Sequence, residues 1–192
     1  SHIRRLLRAG QTEEAMVFLP EESAAVLRRE LAAGRAPVDM RVCQRAILSR
    51  LRRMGEEDFL PYDGGGEGLY RRFYRAMRQT ADIDRLLETA KTRRYPLARL
   101  RRMLLAAYLE LPEPEHLPYL RLLAASRRGC DLLRQMRGAP VLTKPADVSR
   151  LGPQAQALFT REAGWTDLYT LAYPDLSQGI CGTDWRATPW IM

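Results

Sequence analysis

The sequence predicts a mainly α protein, a multi-helix domain with a small βαβ-like element near residues 119–144. Leu, Ala, Arg and Glu, all good helix formers, dominate a chain of 192 residues that is 46% hydrophobic and 28% charged, which is enough apolar material to bury a core. Apolar residues recur at three- and four-residue spacing through most of its length. Two short apolar runs, 119–123 and 140–144, bracket a helical pattern at 127–137, the strand, helix, strand order of a parallel unit.

Taken in order, Ile3, Leu6 and Leu7 open a first helix that Gly10 ends. Thr12 reads as the N-cap of a second helix closed by Leu19 and Pro20, and Ser23 as the cap of a third running to Ala33 before Gly34. Over 40–53, Val42, Ala46, Ile47 and Leu51 share a face, continued by Met54, and Arg41, Arg45, Arg50, Arg52 and Arg53 occupy the other. Pro61, Tyr62, Asp63 and the run Gly64, Gly65, Gly66 form a flexible loop. No apolar strand precedes that loop and no GK[ST] ending follows it, so it does not read as a phosphate cradle.

Beyond it, Leu69, Phe73 and Met77 make an i, i+4, i+8 stripe over 67–78, and Arg71, Arg72, Arg75 and Arg78 supply a strongly positive side. A short helix at 82–89 turns Ile83, Leu86 and Leu87 inward, and a longer one at 97–109 starts after Pro96. Pro112, Pro114 and Pro118 make an extended linker. A last helix covers 155–171, and 173–192 is rich in Gly, Pro and Trp without periodicity. The expected division is a helical segment at 1–60, a basic helical region with the βαβ unit at 61–172, and an irregular tail at 173–192.

Charge points to the partner. Lys and Arg number 31 against 23 Asp and Glu, a net charge of +8 with a pI near 9.9, which favours an anionic partner and above all nucleic acid. Only Lys91 and Lys144 are lysines. Arginine suits bidentate phosphate contacts; a GC-rich coding sequence also enriches arginine but leaves the net charge unexplained.

The densest cluster is Lys91, Thr92, Arg93, Arg94 and Tyr95, followed by Arg99, Arg101 and Arg102. So many like charges at a helix start favour an anion, because that end already carries partial positive charge. Tyr95 offers a ring for stacking on a base. The other reading is a solvated charged face with Tyr95 packed inward.

Catalytic and metal chemistry have little to draw on. Cys43, Cys130 and Cys181 lie far apart without a CxxC pair, so reduced thiols and no metal are expected. His2 and His116 are the only imidazoles, and Glu56, Glu57 and Asp58 read as solvated caps. No apolar run approaches the ~20 residues that span a bilayer, and no signal peptide stands out, so no membrane partner and a cytoplasmic setting are expected. The chain starts without Met on a helical pattern, as though cut from something longer, although Ser1 and His2 equally suit a tag remnant.

Several of these residues also carry a resemblance. Glu67, Gly68 and Leu69, then Lys91 to Tyr95, then Ala98, Arg99, Leu100, Arg101 and Arg102 resemble the EGL…KTKRYT…ARIRR pattern of the tRNA(Met) cytidine acetate ligases, members of the HIGH-type nucleotidyltransferase superfamily. Tyr119 to Leu123 with Gly129, Pro140 to Lys144, and Asp167, Leu168 and Tyr169 resemble that family's YIRVLGF…G, PxITK and DIY segments. The pattern is broken at Tyr70 and Arg71, where the family has Glu and Asn, and at Ala124 and Ala125, where it has Gly and Phe.

The resemblance implies a two-part enzyme. An amino-terminal nucleotidyltransferase domain activates acetate with ATP and Mg, and the acetyl group passes to the N4 amine of the wobble cytidine of elongator tRNA(Met), giving N4-acetylcytidine. The HIGH-type motif is absent from these residues, so the chain is expected to be the carboxy-terminal, tRNA-binding part, lacking that domain and inactive alone. No catalytic residue is assigned. A non-catalytic helical module for nucleic acid or protein is the alternative, and a complete small enzyme a third reading.

Overall fold

The structure, a computed structural model, describes residues 2–111, 117–136, 138 and 140–192. Helix predominates among them, joined by two-residue strands that pair in parallel, in line with the mainly α expectation. His116, Pro112, Pro114 and the predicted helix end at Arg137 lie outside the described residues.

Three helices come first, α1 (His2–Arg8), α2 (Thr12–Met16) and α3 (Glu21–Ala32). Neither Thr12 nor Ser23 caps as expected: the cap positions are Gln11 and Pro20, without side-chain cap bonds. Pro20 leaves the chain extended at ψ 149°, and Glu21 and Glu22 fill the first turn of α3, so negative charge faces the exposed N–H groups instead of a hydroxyl.

Next come α4 (Gln44–Leu51), a 3-10 segment (Glu57–Tyr62), α5 (Leu69–Gln79), α6 (Ile83–Ala90) and α7 (Leu97–Leu109). The helix predicted over 40–53 is shorter, starting at Gln44: 40–43 form turns, in which Met40 and Cys43 pack partly against the core while Val42 stays 59% exposed. Asp82 caps α6 by accepting from the Arg85 N–H at 2.8 Å. Ile47, Leu51, Phe59, Leu69, Phe73, Met77, Leu86 and Leu100 close a single core, with Phe59 and Phe73 ring centroids 5.5 Å apart.

Then follow β1 (Leu120–Arg121), β2 (Ala124–Ala125), α8 (Arg127–Gln135), β3 (Val141–Leu142), a 3-10 segment (Pro145–Arg150), α9 (Pro153–Thr170), a short 3-10 turn (Leu176–Gln178) and β4 (Trp190–Ile191). β1 pairs in parallel with β3 across α8, Leu120 opposite Val141, which is the predicted βαβ unit. β2 pairs in parallel with β4, Ala124 opposite Trp190. The tail expected to be irregular thus supplies a strand, because its backbone bonds to a distant partner that no local periodicity announces.

The chain divides into two compact units, Asp39–Glu115 and a second made of Ser1–Val38 with His116–Met192, whereas the sequence suggests boundaries at 60 and 172. Long-range contacts set the division. The 47–59 stretch shares its core with 69–107, and in the second unit Asp175 N–H donates to Gly34 O at 2.9 Å. Gly34 has φ +69°, and a Cβ there would lie 2.6 Å from that of Asp175, so the approach requires glycine. Tyr119, Leu142, Val148, Ala155, Phe159 and Ala163 form the second unit's core.

Candidate nucleic-acid interface

The predicted binding residues all fall in the Asp39–Glu115 unit. Two segments far apart in sequence meet there, the loop at 63–68 and the turn at 92–95. Thr92 closes the turn: its Oγ1 accepts from the Tyr95 N–H at 3.0 Å and its own N–H donates to Tyr95 O at 3.2 Å. Tyr95 is 8% exposed, and its hydroxyl donates to Glu67 O at 2.8 Å. The ring is therefore a packing element of the turn and presents no open face for a base, the inward alternative of the two readings.

Arg99 ties the same loop from α7. Its Nη1 donates to Glu67 Oε2 at 3.0 Å and its Nη2 to Asp63 O at 2.9 Å, with Asp63 Oδ1 at 3.4 Å. Asp63 is 2% exposed, and its Oδ2 accepts from the Tyr70 N–H at the start of α5 at 3.4 Å. Arg94 Nε reaches Glu67 Oε2 at 3.3 Å, and the guanidinium carbons of Arg94 and Arg99 lie 5.7 and 5.5 Å from the Tyr95 ring centroid. The guanidinium of Arg94 first, and then that of Arg99, holds the Glu67 carboxyl below the usual carboxylate range. The loop expected to be flexible is thus anchored at both ends.

The like charge at the start of α7 is relieved in part by these carboxylates. Lys91 likewise has Glu88 Oε2 at 3.4 Å. Along α5, Arg72 donates to the carbonyls of Ala90 at 2.7 Å and Thr89 at 3.0 Å, serving the unsatisfied end of α6. Arg71 bonds the Tyr70 hydroxyl at 2.9 Å and lies 3.6 Å from Glu56, and Arg78 donates to the Tyr74 hydroxyl at 3.1 Å. Arg75, Arg93, Arg101 and Arg102 are exposed, and their side chains make no hydrogen bond or ion pair among the described residues.

A groove of about 440 Å³ runs over α5, lined by Arg71, Arg72 and Arg75 with Gly68, Ala76, Gln79 and Thr89. Arg75 is the uncommitted guanidinium in this concavity, with the partly engaged Arg71 and Arg72 adding positive charge beside it, an arrangement that suits phosphate oxygens. The glycine run does not suit a polyphosphate, because Asp63 and Glu67 stand at its two ends and would repel one. Asp63 and Glu67 are the organising residues that sequence reasoning passed over; the i, i+4 pattern carries no signal for a pairing 36 residues long such as Asp63 with Arg99.

Groups able to do catalysis are sparse. No cluster of three His, Cys, Asp or Glu suits a metal among the described residues, and the three cysteines are free thiols. Burial pushes the Cys43 thiol up, away from its nucleophilic form. His2 bonds Arg5 at 2.9 Å at the surface. Among the described residues no helix is long and apolar enough to cross a membrane.

The family model described as HIGH Nucleotidyl Transferase matches residues 1–182. The chain belongs to this family. It is 32% identical, over 91% of its length and 46% of the relative's, to the tRNA(Met) cytidine acetate ligase of Kosmotoga olearia. The protein of that name from Thermotoga maritima is 30% identical over 97% of this chain and 49% of its own. The crystal structure of Thermotoga maritima TmcAL bound with alpha-thio ATP superposes with TM-score 0.87 and 26% identity, covering all of this chain and 51% of that one. The chain spans about half the length of the curated relatives it matches, and the family match over 1–182 does not separate a tRNA-facing half from a nucleotide-activating one.

Proposed function

We propose that this member of the HIGH nucleotidyltransferase family binds tRNA and positions it for formation of N4-acetylcytidine at the wobble position of elongator tRNA(Met). In this reading ATP with Mg and acetate supply an acetyl-adenylate, and residues outside these 192 perform that activation. The observation that carries it is the arginine groove on α5 together with the exposed cations Arg75, Arg93, Arg101 and Arg102 in the same unit. The names of the relatives support the choice of tRNA as the anion. Holding a weakly nucleophilic aromatic amine against a mixed anhydride is a positioning task, for which phosphate anchors suffice.

A salt titration of tRNA binding tests it. Affinity should fall steeply with salt, and changing Arg75, Arg93, Arg101 and Arg102 together to Ala should reduce the slope by about 0.7–0.9 per lost phosphate contact. Unchanged affinity and slope in that variant would overturn the interface. Acetylation of tRNA(Met) against a panel of other tRNAs by the full-length enzyme checks the substrate.

A further inference from the structure

A second concavity, of about 340 Å³, lies in the unit that carries the strands, lined by Pro145, Val148, Ser149, Gln156, Thr160 and Trp185. Trp185 is 46% exposed, yet its indole makes a T-shaped contact with the fully buried Phe159, centroids 4.8 Å apart at 76°. The ring is thus held by the core beneath it while part of it stays open to solvent.

Gln156 is held more firmly. Its Nε2 donates to Leu151 O at 2.7 Å and to Ser149 O at 3.2 Å. Both partners are carbonyls and can only accept, so the amide nitrogen must face them and Oε1 is left without a partner among the described residues. The Thr160 hydroxyl spends its proton on Gln156 O at 2.9 Å, leaving lone pairs. The polar side of the pocket therefore offers fixed acceptors. Lys144, Arg150, Arg161 and Arg186 are all exposed, and each adjoins a lining residue in the chain; Arg150 pairs with Asp147 at 3.0 Å and Arg186 donates to Cys181 O at 3.1 Å.

We infer that this pocket takes an unpaired nucleobase of RNA that carries an amine where uracil and guanine carry the C4 or C6 carbonyl, cytosine or adenine, stacked against Trp185 with that amine donating to Gln156 Oε1. The inference rests on the tRNA-binding reading for the presence of RNA. Aromatic ring, fixed acceptor and flanking cations are the three elements by which single-stranded bases are held. Uracil presents carbonyl oxygen where cytosine presents the amine, and oxygen against oxygen repels.

The test uses a Trp165→Phe, Trp190→Phe background, in which emission reports Trp185. Oligo(C) should quench it and bind at least about fivefold more tightly than oligo(U); with affinity read by polarisation of a labelled oligo(C), Trp185→Leu should weaken binding about tenfold while Trp185→Phe stays within about threefold. Equal binding of oligo(C) and oligo(U), quenching by inorganic phosphate alone, or unchanged affinity in Trp185→Leu would overturn the pocket. If Trp185→Leu unfolds, quenching of the intact indole decides the matter. Loss of tRNA binding on replacing the four free arginines, with no effect at Trp185, refutes this inference alone; the converse refutes the α5 interface alone.

Discussion

Arg99 shows how a single residue changes meaning between sequence and structure. By composition it is one of many cations, yet with a side chain 22% exposed it bridges a nearly fully buried Asp63 and Glu67. Arg99→Ala strands that buried carboxylate and should cost about 2–4 kcal/mol, less than a fully buried pair because solvent reaches the guanidinium, measurable as a lower urea midpoint. Tyr95→Phe removes only the hydroxyl bond to Glu67 O and should cost about 1 kcal/mol, measurable as a lower urea midpoint, with tRNA affinity unchanged because the ring stays in place. Glu67 adds a pH dependence. Its folded carboxyl lies below the ordinary value of about 4.3, so its stabilising contribution is present above that pH and is lost as pH falls through the depressed value. Acid titration of the Arg94→Ala, Arg99→Ala double variant should lack that part of the transition.

Among the elements, helix faces were legible and their ends were not. The stripe of Leu69, Phe73 and Met77 is fully buried, as its spacing predicts, because burial of a helix face depends on a period the sequence displays. The start of α5 depends instead on Gly68 in the left-handed region at φ +80°. Space around it is open, so Gly68→Ala should cost about 1–2 kcal/mol from backbone strain alone, visible as a lower melting temperature without change in core packing. The caps misread at Thr12 and Ser23 fail for the same reason: a hydroxyl signals a cap only where the chain leads into the helix at that residue. Tail elements were illegible altogether. Asp184 accepts from Arg121 at 2.8 Å and from Thr166 at 2.5 Å, so Asp184→Ala should release 173–192 to limited proteolysis. Nearby, burial and the bond to Glu162 raise the Tyr119 hydroxyl. Its stabilising contribution is present below the ordinary value of about 10 and lost as pH rises beyond it, so wild-type stability should fall with pH from there upward, a loss that Tyr119→Phe, without the ionisable hydroxyl, should not show.

At the scale of the whole molecule the +8 charge is a statement about attraction, not about where an anion sits. Replacing Arg75, Arg93, Arg101 and Arg102, which have no partner among the described residues, should weaken tRNA binding with the melting temperature within a few degrees of wild type, whereas replacing Arg72, Arg94 and Arg99 should lower the melting temperature first. Parallel binding and melting curves on the two variants separate those roles. Composition and periodicity by themselves determined a helical, basic protein with a βαβ element, and the EGL and KTRRY segments determined the family resemblance that the match over 1–182 places in the HIGH nucleotidyltransferase family. Only the tertiary structure decided which cations remain for a partner. Every arginine carries the same charge in the sequence, and whether it is spent depends on carboxylates and carbonyls brought to it from 17 to 36 residues away, a distance over which local pattern holds no information.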